Sequence, residues 1–177
     1  ITLNNNENLT VFFNGKFLPW DKALVHVFSP AVKYGAGVFE GICAYMSKKG
    51  MNIFRLEEHL ARLEYSQRMM RFERIFTKEE VAEPLKELVR RNKFKETVHI
   101  RPTVYVDGLG ESSALGPIGI SITAVQRPRP KIAMEGCSVQ ISSWQRLSDL
   151  SMPTRVKANA NYNNSRFAAT QAKVDGY

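Results

Sequence analysis

The chain has 177 residues, 44% of them hydrophobic and 24% charged, and carries a formal net charge of +8 at pH 7. That is the balance of an ordinary soluble globular protein, and no stretch approaches the roughly 20 apolar residues a membrane span needs. The charge is scattered: Lys48-Lys49, Arg90-Arg91, Lys93, Lys95 and Arg127 through Lys131 form no single basic stripe, so they read as solvated surface and no nucleic-acid partner is expected.

Ile1 to Asn8 has neither the basic start nor the apolar stretch of a secretory signal. Cys43 and Cys137 lie far apart with no metal-type spacing. They read as reduced, packed thiols of a cytoplasmic protein.

In chain order, Val11 to Leu18 reads as a hairpin, because Asn14-Gly15 supplies two residues that tolerate positive φ between strand formers. Ala23 to Phe28 is a second short strand candidate. Ser29-Pro30 is a helix start, with serine as cap and proline in the first turn, and Gly35-Ala-Gly37 keeps that helix brief. Val38 to Tyr45 follows as one strand, and Met51 to Phe54 as another after a turn at Ser47 to Gly50.

Leu56, Leu60, Leu63 and Met70 recur at helical spacing and predict a helix from about Leu56 to Phe72. Thr77-Lys-Glu-Glu80 is a capping-box pattern opening a second helix, whose apolar stripe is Val81, Leu85, Leu88 and Val89. Thr97 to Val106 alternates, with Val98, Ile100 and Val104 on one face and His99, Arg101, Thr103 and Tyr105 on the other. Such a polar face is either solvent-exposed or lines a pocket.

Ile118 to Val125 is a further strand. The prolines of Arg127-Pro-Arg-Pro130 then exclude helix and central strand, marking 127–131 as a linker. Ser138 to Trp144 alternates as a strand, and Asn161 to Asp175 reads as a helix. The pattern predicts an α/β (α+β) fold: a small two-layer domain over 1–126, then the start of a second, larger, β-rich domain over 132–177. This last stretch is too short to bury a core alone, so a longer natural chain or a separate complementary piece is expected.

The three histidines, His26, His59 and His99, share no metal-ligand spacing, and no phosphate loop or nucleophile elbow is present. The unusual segment is Met152 to Ser165. A lone loop lysine is ordinarily solvated surface. Lys157, however, stands among Asn159, Asn161, Asn163, Asn164 and Tyr162, and a lysine that condenses with an aldehyde needs such hydrogen-bonding neighbours.

Lys157-Ala-Asn-Ala-Asn-Tyr162-Asn-Asn-Ser165 resembles the cofactor-lysine segment of branched-chain aminotransferases, fold-type IV enzymes dependent on pyridoxal 5'-phosphate (PLP). Tyr34 to Ile42, Ile53 to Leu63, Ile100-Arg-Pro102 and Ser142-Ser-Trp144 resemble other segments of that family in the same order. The resemblance implies a homodimeric, cytoplasmic transferase moving an amino group from a hydrophobic, branched-chain amino acid to 2-oxoglutarate through a Schiff base on Lys157. D-amino acid transaminases and aminodeoxychorismate lyases of the same fold are alternatives, and a non-catalytic basic nucleic-acid-binding domain is a more distant one.

By that resemblance Lys157 holds PLP and shuttles the substrate Cα proton. Tyr162 bonds the cofactor's phenolic oxygen, and Arg62 contacts its phosphate. Tyr34 and Phe39 line the substrate pocket, Tyr34 across a dimer interface. His99 and Arg101 move from the open choice above to pocket-lining, with Arg101 meeting a substrate carboxylate. Cys43 stands where family members often have arginine, His99 where they have tyrosine, and Gln126 to Lys131 where many carry an aromatic stretch. These departures bear on which hydrophobic amino acid is the donor. The family's partner for the pyridine nitrogen lies beyond the position of Tyr177, so residues 1–177 alone are expected to be inactive.

Overall fold

The computed structural model describes residues 8–48, 50–128 and 132–177. The elements in order are β1 (Thr10–Phe13), β2 (Lys16–Pro19), a short 3-10 turn (Trp20–Lys22), α1 (Pro30–Tyr34), β3 (Gly37–Phe39), β4 (Ile42–Ser47), β5 (Gly50–Ile53), α2 (Leu56–Met69), α3 (Lys78–Asn92), β6 (Val98–Val106), β7 (Ile118–Gln126), α4 (Ile132–Glu135) and α5 (Tyr162–Val174). The strands form one antiparallel sheet in the order β2-β1-β7-β6-β4-β5, with β3 also paired to β6. Among the described residues no helix is long and apolar enough to cross a membrane.

Local signals are realised where the sequence carries them. Asn14 and Gly15 take φ of 45° and 87°, closing the β1–β2 hairpin. Ser29 caps α1, its hydroxyl accepting from the Val32 amide, with Pro30 in the first turn. Thr77 and Glu80 exchange the two bonds of a capping box at the head of α3.

Strand β6 organises the sheet. Its register sets Ile42 against Ile100 on one side and Ala124 against Ile100 on the other, with Val98, Val104, Ile120 and Ile122 on the same face. That face meets Leu60 and Leu63 of α2 and Val81, Leu85 and Leu88 of α3, all buried in one core cluster. The opposite face carries His99, Arg101 and Thr103, with Cys43 beside His99 and Phe39 beside Thr103.

Three expectations are corrected. Val38 to Tyr45 is two strands, broken at Glu40-Gly41. The cause sits opposite: Glu40 donates its amide to the Pro102 carbonyl at 2.9 Å, and Pro102, lacking an N–H, returns nothing. A strand residue directs both backbone groups to one edge, so Pro102 survives in mid-β6 because its missing donor faces this break. Ala23 to Phe28 forms no strand. It finds no sheet edge, leaves Leu24, Val27 and Phe28 exposed, and turns at His26 into the α1 cap. Ser138 to Trp144 is likewise without a strand partner. It runs along α5, where Ser142 bonds Gln171, Gln140 bonds Asp175 and Trp144 stacks on Phe167, and Ile141 is 99% exposed. The expected linker falls partly on 129–131, outside the described residues.

Candidate functional site

The edge of β3 that faces away from β6 is occupied by the lysine segment. The Phe39 amide donates to the Lys157 carbonyl at 3.0 Å and the Asn159 amide to the Gly37 carbonyl at 2.9 Å, making an antiparallel bridge at Val38 and Ala158. The Lys157 amide also reaches the buried Ser66 hydroxyl of α2 at 3.3 Å. Asn161, just before α5, is buried and gives its side-chain amide to the carbonyls of Val156 and Pro153. Lysine backbone and following helix are therefore fixed from three sides, and the lysine side chain projects over the polar face of β6.

On that face four expected residues meet. Lys157 Nζ lies 2.5 Å from the Tyr162 hydroxyl, and the five-residue spacing comes from a turn into α5. The Phe39 ring is 5.0 Å from the Tyr162 ring, 4.7 Å from Lys157 Nζ and 3.7 Å from the Arg101 guanidinium. Phe39 is thus the apolar floor on which two cations and the phenol converge. Arg101 makes no ion pair with an acid among the described residues and reaches only the Asn159 amide oxygen, at 3.5 Å.

Arg62 and His99 flank the group. Arg62 is half exposed on α2 and clamps Glu40, Nε to Oε1 at 2.5 Å and Nη2 to Oε2 at 2.7 Å. Glu40 is fully buried and also meets His59 Nδ1 at 2.8 Å. A cavity of about 250 Å³ opens beside Arg55, Glu58, His59 and Arg62. His99 borders a larger space of about 620 Å³ with Cys43, Tyr45, Thr97 and Arg127. Burial, then the charges of Arg127, Arg101 and Lys157, hold its imidazole below the ordinary 6.5. Tyr34 stands apart from the cluster. Its hydroxyl donates to Glu111 at 2.6 Å, and Lys33 shares that carboxylate.

Glu40, His59 and Ser66 join the site without having been singled out from the sequence. Glu40 carries a visible signal: a carboxylate inside the apolar run Val38-Phe-Glu-Gly-Ile42 must be buried with a partner.

The sequence and the fold are both similar to those of known enzymes. The sequence model of the amino-transferase class IV family matches residues 37–177. The branched-chain-amino-acid aminotransferase of Escherichia coli K12 is 33% identical over 174 residues, an alignment covering 94% of this chain. The crystal structure of the branched-chain aminotransferase from Thermoproteus uzoniensis with norvaline superposes with a TM-score of 0.88 at 34% identity, over 96% of this chain and 57% of that one. A T.th. branched-chain amino acid aminotransferase with pyridoxamine 5'-phosphate gives 0.86 at 35%, over 96% and 56%. The chain belongs to the class IV aminotransferase family and has the fold of its branched-chain members. It spans 56% of the length of the E. coli relative.

Proposed function

We propose that the full-length protein is a PLP-dependent transaminase that moves an amino group between a hydrophobic, branched-chain amino acid and 2-oxoglutarate, with Lys157 as the cofactor lysine. The observation that carries this reading is the convergence of the Lys157 amine, the Tyr162 hydroxyl and the Arg101 guanidinium on the Phe39 ring. The side chains fit the group: Lys157, Arg62 and Arg101 offer an amine and two guanidinium groups to a phosphate and a substrate carboxylate. The nearby carboxylate of Glu40 is buried and turned toward Arg62 and His59.

When bound, PLP supplies an aldehyde for amines and a ring that accepts the electron pair released at the substrate Cα. The protein's own part is positioning and proton traffic. The Lys157 amine would hold the cofactor and, once free, would take the proton from the substrate Cα and deliver it from the same Nζ to the cofactor carbon that carried the aldehyde. Tyr162 holds that amine and would offer its hydroxyl to the cofactor's phenolic oxygen. Arg62 meets the phosphate with the guanidinium edge that Glu40 leaves free. Phe39 keeps water from the reacting side, and Arg101 orients a substrate carboxylate. His99 and Tyr34 border the substrate, Tyr34 from the neighbouring subunit of a homodimer. In this reading 1–126 is the small domain, 127–131 the linker and 132–177 the beginning of the large one. Activity belongs to the assembled whole.

Borohydride reduction of the PLP-loaded full-length protein, followed by peptide mapping, tests the assignment. A pyridoxyl adduct on Lys157, lost in Lys157→Ala, is expected. An adduct on another lysine refutes the central residue. Keto-acid formation assayed with L- and D-amino acids separates this activity from the D-specific and lyase alternatives.

A further inference from the structure

The buried Glu40 has no chemical step in the scheme above, yet it is held on every side near the site. It is fully inaccessible, and it stands at the break between β3 and β4, next to Phe39. Its backbone amide is pinned to Pro102, and Gly41 donates weakly to Oε2 at 3.4 Å. Both oxygens face α2, where they receive Arg62 in a two-point clamp, and Oε2 also meets His59 one turn earlier. A buried ion pair is poor evidence of a stabilising role, since desolvating both charges offsets their attraction. What the clamp supplies is geometry. Arginine is a long, rotamer-rich side chain whose ordering opposes binding, and two parallel bonds to a fixed carboxylate remove that freedom in advance, leaving Nη1 outside the clamp.

We propose that Glu40 is a positioning residue that presets the Arg62 guanidinium to receive a phosphate monoester. The proposal rests on the reading of Arg62 as the phosphate contact. Two effects of Glu40 oppose each other, which makes the test decisive. Its negative charge repels an incoming dianion, so if charge alone mattered, neutralising it would tighten binding. Its orientation of Arg62 favours the dianion, so if positioning dominates, neutralising it weakens binding.

The experiment titrates the full-length protein with PLP and with pyridoxal, which lacks the phosphate, in wild type, Glu40→Gln, Arg62→Ala and the double variant. Glutamine keeps the shape but turns one N–H-bearing group toward the guanidinium. Expected is a loss of about tenfold or more in PLP affinity for Glu40→Gln, the scale of one charge-assisted hydrogen bond. Pyridoxal affinity is expected to stay unchanged, and the double variant to bind PLP no worse than Arg62→Ala, the non-additivity of residues acting through one another. Unchanged or tighter PLP binding by Glu40→Gln overturns the proposal. So does an equal loss for PLP and pyridoxal, which is the signature of a general structural defect. If Arg62→Ala binds PLP like wild type, the phosphate role of Arg62 falls and the Glu40 proposal with it. Should Glu40→Gln not fold, Arg62→Lys serves, since it keeps the charge but cannot form the fork. PLP affinity as poor as in Arg62→Ala supports positioning, and wild-type affinity overturns it.

Discussion

Replacing Gly37 by alanine should loosen the lysine segment while leaving the rest of the sheet in place. An added Cβ would lie 2.8 Å from the Asn159 side-chain nitrogen, 3.2 Å from Tyr105 Cβ and 3.3 Å from the Val104 carbonyl oxygen. Val104 O is backbone of the central strand, and Tyr105 is buried directly across the ladder. Neither can retreat, so Asn159 must. Asn159 gives its amide to the Gly37 carbonyl, and its side-chain oxygen accepts from Arg101, so turning that side chain away breaks the Arg101 contact and strains the pairing that docks Lys157 beside Phe39. Overpacking of this kind costs about 1–3 kcal/mol, which as a local opening raises the undocked population roughly 5- to 150-fold. Amide hydrogen exchange reads this directly. The Phe39 and Asn159 amides should lose protection by that factor, while Ile100, deep in the β6 ladder, keeps its own. Unchanged protection at Phe39 and Asn159 would refute the docking geometry.

Three further outcomes follow from other parts of the molecule. Thr77→Ala removes one half of the capping box and should lower unfolding stability by about 1 kcal/mol, seen as a shifted urea midpoint with unchanged slope. Tyr162→Phe deletes the partner of the Lys157 amine and should lower kcat/KM about tenfold in steady-state assays of the full-length protein, while borohydride still labels Lys157. His99 is held below 6.5 in the folded state, so the unfolded chain takes up a proton first as pH falls from about 6.5 toward the folded value. Stability is therefore lost on acidification through that window. In His99→Gln the loss between pH 7.5 and 5.5, measured by denaturant titration, should be smaller than in wild type.

What the sequence makes legible is what neighbouring residues decide among themselves. Asn14-Gly15, Ser29-Pro30 and the Thr77–Glu80 box each satisfy their own backbone groups within a few residues, and the alternation of β6 survives because both of its faces are covered differently. Ser138 to Trp144 carries the same alternation and Ala23 to Phe28 a run of strand-forming residues, yet neither forms a strand, because a strand also needs an edge to pair with. The break at Glu40-Gly41 depends on a proline in another strand. In the site, Lys157 and Tyr162 lie five residues apart and their proximity could be read from spacing. The contacts of Lys157 with Ser66, 91 residues away, and of Arg101 with Asn159, 58 away, arise only when β3 brings the lysine segment to the sheet.

Strand β6 therefore links core and site through one irregularity. Its apolar residues bind α2 and α3 on one face, and its polar residues face the lysine on the other. Pro102 is the point where the two faces are coupled. By withholding one N–H it interrupts the ladder at Glu40, while the register holds across the gap: Phe39 opposes Thr103 and Ile42 opposes Ile100. An unbroken strand from Val38 would fix both the side of every residue and its edge bonds. The break frees only edge bonds: with the register kept across it, Phe39 faces the lysine while the next residue, Glu40, points to the other face and the helix that carries Arg62. The same helix offers Ser66, one turn on from Arg62, to the Lys157 backbone. Helix, interrupted strand and lysine segment are thus tied together, the Lys157 backbone through Phe39 and Ser66 and the Arg62 guanidinium through Glu40.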